Sequence, residues 1–140
     1  MTPDPAGGVR ACLVDVYSTL LRYDFADHSR RLAELAGADL AAWQRGQIAL
    51  NAAFDSGRLS TTEMLACLLE GCGIRPRPGQ AAELAAASRA YLRDGCGLFE
   101  DATAFLRELR AAGIAIALVS NCGADTRPLL TDLGVIPLAD

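Results

Sequence analysis

The chain has 140 residues, 51% of them hydrophobic, which is enough for one domain with a real core and too little for several. A formal net charge of -4 and a pI of 4.9, with no arginine-rich stripe, argue against a nucleic acid as the general partner. No apolar run reaches the length of a membrane helix, and the opening residues MTPDPAGG lack a basic-then-apolar leader, so the sequence predicts a cytoplasmic protein with no membrane partner.

All 13 basic residues are arginine, and the sequence contains no lysine. The pairs Arg30-Arg31 and Arg75/Arg77 read as solvated surface. Five cysteines, Cys12, Cys67, Cys72, Cys96 and Cys122, form no C-x-x-C pair and have one histidine, His28, to join them. That pattern predicts buried or free thiols rather than a disulfide framework or a zinc site.

In chain order, Ala11–Leu21 comes first: four mostly apolar residues run into Asp15 and then through Val16, Tyr17 and Ser18 to Thr19. A continuous apolar run bounded by turn-forming residues predicts a buried strand of a parallel sheet. Asp15 would stand at its carboxyl end, where open α/β sheets gather their chemistry, although an aspartate there also serves as a turn residue or helix cap. Helical signals follow. Arg30–Ala36 is short and amphipathic with Gly37 as its stop, and Asp39 caps a longer helix through Trp43, Ile48, Leu50 and Phe54. Ser60 and Glu63 have capping-box spacing ahead of Met64, Leu65, Leu68 and Leu69, with Gly71 or Gly73 as the end. Pro76, Pro78 and Gly79 break the chain before an alanine-rich helix from Gln80 to Leu92.

Gly113–Asn121, GIAIALVSN, is a second apolar run that ends abruptly in small polar residues. If it lies parallel to the first, Ser120 and Asp15 emerge at the same sheet edge. Asp125–Leu133 then reads as a helix with Pro128 in its first turn and Gly134 closing it, and Val135, Ile136 and Leu138 predict the start of a third strand.

The two strand ends carry a resemblance. Asp15-Val16-Tyr17-Ser18-Thr19-Leu20 resembles the first motif of the haloacid dehalogenase (HAD) superfamily of hydrolases, an apolar strand ending in D-x-D-G-T or D-x-Y-G-T. Leu118-Val119-Ser120-Asn121 resembles its second, an apolar strand ending in Ser or Thr and commonly followed by Asn. FEDATAFLRELRAAGIAIALVSN looks like the family's helix-strand unit, and FDSGRLSTTEMLACLLEGCGI resembles its helical caps.

The resemblance implies an α/β fold: a Rossmannoid parallel-sheet core, incomplete here, over residues 1–23 and 93–140, with an inserted α-helical cap over 24–92. It implies Asp15 as a nucleophile forming a covalent aspartyl intermediate. Thr19 would steady the first loop, Ser120 would orient the transferring group, and Asn121 would border the pocket of a small anionic substrate. Trp43, Phe54 and Arg45 are candidate pocket residues, the aromatics fitting a helical core equally and Arg45 a solvated surface. A phosphatase reading implies Mg2+ with Asp15 among its ligands; a dehalogenase reading implies no metal. The family's third-motif lysine has no counterpart in this sequence, and Asp125, Asp132 and Asp140 do not form the acidic pair of its fourth motif. An N-terminal part of a longer protein is therefore expected, completed by further strands or by a second copy in a homodimer. A non-catalytic binding module is the alternative.

Tyr17 bears on the substrate. Family phosphatases carry Asp at this position to protonate a leaving alkoxide, and a tyrosine with an ordinary pKa near 10 is poorly matched to that task at neutral pH. A halide needs no proton, so D-x-Y suits the dehalogenase branch. Ser18 stands where the motif has glycine, which strains the loop if that position needs positive φ.

Overall fold

The computed structural model describes residues 8–140, in two compact units. One comprises residues up to Arg22 with Gly97–Ser120 and Leu130–Asp140; the other comprises Tyr23–Cys96 with Asn121–Leu129. In chain order the elements are β1 (Ala11–Asp15), β2 (Leu21–Arg22), α1 (Phe25–Ala36), α2 (Leu40–Asp55), α3 (Thr61–Gly71), α4 (Gln80–Gly95), β3 (Gly97–Leu98), α5 (Ala102–Ala111), β4 (Ala115–Val119) and α6 (Thr126–Asp132), then a 3-10 turn at Ile136–Leu138.

In the sheet unit, β1 and β4 run parallel from Ala11 opposite Ala115 to Asp15 opposite Val119. Alternation sorts their side chains: Val14 and Ile116 are buried, whereas Leu13 and Val119 face solvent. α5 packs on β4 through an apolar face that includes the fully buried Leu106, as a parallel sheet requires on its covered side. β2 and β3 make a short antiparallel pair, and Arg22 crosses it to donate to the Leu98 carbonyl and to lie over the Phe99 ring.

The expected third strand does not form. Val135 is buried, but Ile136–Leu138 coil into a 3-10 turn containing Pro137, whose ring fixes φ and removes a ladder donor. Ala115 donates to the Arg10 carbonyl, toward β1, so the backbone of Ile116 points to the other edge of β4. Asp140 meets it there: its N–H donates to the Ile116 carbonyl at 2.9 Å and its carboxylate accepts the Ile116 N–H at 2.7 Å. One residue does the edge pairing that a strand was expected to do.

In the helical unit, α1 starts earlier than its apolar spacing predicts, because Asp24 accepts the Asp27 N–H and caps the helix five residues before Arg30 is followed by Arg31. Gly37 ends it in the left-handed region, φ 70°, as expected of a helix stop. Asp39 caps α2 by accepting from the Ala42 N–H, and Ser60 and Glu63 form a reciprocal capping box at α3. α4 runs three residues past Leu92. The four helices enclose Leu32, Trp43, Met64, Leu65, Leu68, Leu69 and Leu84. Trp43 is wholly buried among them, so it is a core residue and lines no pocket. No helix among the described residues is long and apolar enough to cross a membrane.

Candidate active site at the end of the first strand

Asp15 is the last residue of β1 and is exposed. The loop after it is held locally. The Val16 carbonyl accepts the N–H groups of Thr19 at 3.3 Å, Leu20 at 2.8 Å and Leu21 at 2.9 Å, and Ser18 N–H donates to the Leu21 carbonyl at 2.8 Å. This tight return brings Thr19 back over the strand end, where its hydroxyl donates to Asp15 Oδ2 at 3.0 Å. A hydroxyl donated to one carboxylate oxygen orients the group and leaves the other oxygen for a reacting atom. The tightness costs backbone strain: Ser18 has φ 61°, the left-handed region that favours glycine.

Val16, Leu20 and Leu21 are buried, which anchors the loop from below, while Tyr17 is half-buried and pairs with Leu21. Because Asp15 lies opposite Val119, the half-buried Ser120 emerges beside it at the same sheet edge. The structure thus gathers Asp15, Tyr17, Thr19 and Ser120 in the sheet unit. Asn121 and Arg45, both exposed, belong to the helical unit. Arg45 lies on α2.

Among the described residues no three His, Cys, Asp or Glu side chains gather to hold a metal ion. Asp15 as a single carboxylate does not fit Mg2+, which takes near-octahedral oxygen ligation. No chemical step is therefore routed through a metal here.

Two contacts escape sequence reasoning. Thr61, the first residue of α3, donates its hydroxyl to Asp125 Oδ2 at 2.6 Å, and the Phe54 ring lies directly against Gly123. Both tie the segment after Ser120 to the helices. The 64-residue separation of Thr61 and Asp125 leaves no local sequence signal for the pairing.

No family model and no curated protein matches the sequence. Solved structures do. The chain is similar to an L-2-haloacid dehalogenase from Xanthobacter autotrophicus with chloropropionic acid covalently bound, at 22% identity and a TM-score of 0.58 over 95% of this chain and 55% of that one. It is similar to the magnesium-bound HAD-hydrolase YfnB of Bacillus subtilis, at 24% identity and TM-score 0.60, covering 94% of this chain and 63% of the other. A predicted phosphoglycolate phosphatase from Haemophilus somnus matches at 14% identity and TM-score 0.53, over 94% and 60% of the two chains. The chain therefore has the HAD fold, the mixed α/β architecture with parallel strands and a helical insertion that its motifs imply. It spans 55% to 63% of the length of these three proteins.

Proposed function

We propose that the chain carries the nucleophile of a HAD-type hydrolase, with Asp15 attacking a small 2-haloacid. The observation that carries this reading is the Thr19 hydroxyl bonded to one oxygen of an exposed aspartate at the end of a parallel strand, with Ser120 beside it. In the first step an Asp15 carboxylate oxygen forms a bond to the α-carbon of the acid, and the carbon–halogen bond breaks, the halide leaving with the electron pair. In the second, water attacks the carbonyl carbon of the resulting ester. The ester C–O bond breaks, the 2-hydroxyacid leaves, one proton is released, and the Asp15 carboxylate is restored. Ser120 hydrogen-bonds the substrate carboxylate, and Asn121 and Arg45 supply further polar contact to it. Tyr17 fits this chemistry because a halide departs without a proton. The covalently bound chloropropionic acid of the Xanthobacter enzyme supports an intermediate of the same class.

A phosphate ester is the second reading, supported by likeness to the Haemophilus protein. It places the attack at phosphorus, and the donor set here leaves it without a metal.

The test is halide release from 2-chloropropionate beside phosphate release from p-nitrophenyl phosphate, with intact-mass detection of an ester on Asp15. Wild type should release chloride and trap an adduct, and Asp15→Asn should lose at least about 10³-fold in rate, as removal of a covalent nucleophile does. Equal rates in both proteins would sink the proposal; phosphate release alone would select the second reading. Thr19→Val, which removes the orienting hydroxyl, should cost about tenfold in kcat, roughly the 1.4 kcal/mol of one hydrogen bond.

A further inference from the structure

Residues 121–129 follow Ser120 in the chain yet pack as part of the helical unit. The two ties are of different kinds. Thr61 Oγ1 to Asp125 Oδ2 is a partly buried hydroxyl-to-carboxylate bond of 2.6 Å, in the short range of charge-assisted hydrogen bonds. At Gly123 a Cβ would overlap the Cζ, Cε1 and Cε2 atoms of Phe54, so the glycine is there for space. Phe54 is itself packed on the helical core, and Thr61 is fixed at the start of α3 by the capping box of Ser60 and Glu63. Both anchors therefore stand on rigid ground.

What they hold is a short irregular stretch. Asn121–Asp125 has no strand or helix of its own, and α6 begins at Thr126. An untethered stretch of this kind loses about 1–2 kcal/mol of backbone entropy per residue each time it is fixed, so a ligand contact made from it is weakened unless the stretch is ordered beforehand. Asn121 is its first residue, exposed, and next to Ser120.

We infer that Thr61 and Phe54 are positioning residues for the substrate: by fixing Gly123 and Asp125 they order the Asn121–Asp125 backbone and present the Asn121 amide to an anionic substrate. This rests on the reading above that Asn121 contacts the substrate's acid group. The helical unit then contributes to substrate binding through a segment that the sequence attaches to the second strand.

The experiment compares wild type with Thr61→Val, which keeps the shape and removes the hydroxyl, and Thr61→Ser, which restores it. Amide hydrogen exchange over residues 121–126 is read together with KM and kcat for chloride release from 2-chloropropionate, and with binding of 2-chloropropionate and of inorganic phosphate. Thr61→Val should exchange about tenfold faster in this segment alone and raise KM about tenfold with kcat near wild type, the pattern of lost ground-state binding, and Thr61→Ser should return both. Unchanged exchange in Thr61→Val overturns the anchoring. Faster exchange with unchanged KM and kcat overturns the positioning role and leaves a structural tie. Failure of wild type to turn over or bind either probe overturns the functional reading itself, and the exchange data separate that outcome from the other two.

Discussion

Ser18 shows how a single residue carries both the loop and its strain. Its φ of 61° is forced by the return of the chain that brings Thr19 onto Asp15, and a non-glycine residue there costs about 1–2 kcal/mol. Ser18→Gly relieves that strain but gives the unfolded chain more freedom, so the net gain should be about 0.5–1 kcal/mol in urea unfolding, and a loss would show that the loop is not strained. This much was legible in the sequence, because the D-x-Y-x-T spacing is local and glycine is the residue that a left-handed position asks for. His28 was not. In sequence it reads as an isolated histidine, yet it is 7% exposed, stacks on Tyr91 with ring centroids 4.4 Å apart, and lies 2.7 Å by Nδ1 from the Tyr23 hydroxyl, while its Nε2 has no partner. Burial holds its pKa down at about 4, with the Asp27 charge opposing weakly. A folded pKa below the unfolded value of about 6.5 means that the unfolded state binds the proton more readily. Its contribution is whole above pH 6.5 and is lost as pH falls toward 4. Wild type should lose about 1–2 kcal/mol between pH 6.5 and 5, and His28→Gln should flatten that slope; parallel slopes would assign the loss to other groups.

At the scale of elements, caps carried most of what could be read. Asp39 and Ser60 mark the starts of α2 and α3 because a short oxygen-bearing side chain satisfies N–H groups that the helix leaves open, a rule confined to four residues. Ser60→Ala should cost about 1 kcal/mol, and should leave Glu63 without the Ser60 hydroxyl and backbone N–H arrangement that lowers its pKa. Chemical denaturation and a carboxylate titration by NMR would check the two halves separately. Sequence reasoning failed where an element is decided by partners distant in the chain. α1 begins at Phe25 because Asp24 caps it, and Tyr91 on α4 donates to Asp27 in its first turn. The start was read too late because Phe25 and its neighbours break the amphipathic spacing. The third strand was read from Val135 and Ile136, good strand formers, but Pro137 and the single docking residue Asp140 decided otherwise. Gly123→Ala tests the tie between elements directly. It should cost about 1–3 kcal/mol of overpacking against Phe54, and Phe54→Ala should recover part of it, a non-additive pair that distant sites would not show.

Across the whole chain there are two cores of unequal quality. The helical core gathers side chains from four successive helices, contacts that are local in sequence. The sheet core, with Val14, Val16, Leu20, Leu106, Ile116 and Val135, joins residues more than a hundred positions apart around two paired strands. Only one face of that pair is covered: Leu13 is 75% exposed and Val119 52%, although parallel strands are ordinarily buried on both faces. That shortfall was foreseeable from two apolar runs without a polar alternation, since such runs ask for cover on both sides. Which helices would supply the first cover was not. The sheet unit should therefore open at lower free energy than the helical unit, and hydrogen exchange should resolve two cooperative groups of amides. Leu106→Ala, a loss of about 2–5 kcal/mol, should speed exchange in β1 and β4 and spare α2 and α3. Leu69→Ala should do the reverse, and should also loosen residues 121–129, which pack with the helices although they follow β4 in the chain. If either substitution sped exchange everywhere by one factor, the chain would be a single folding unit, and the separation of the two cores would have no energetic meaning.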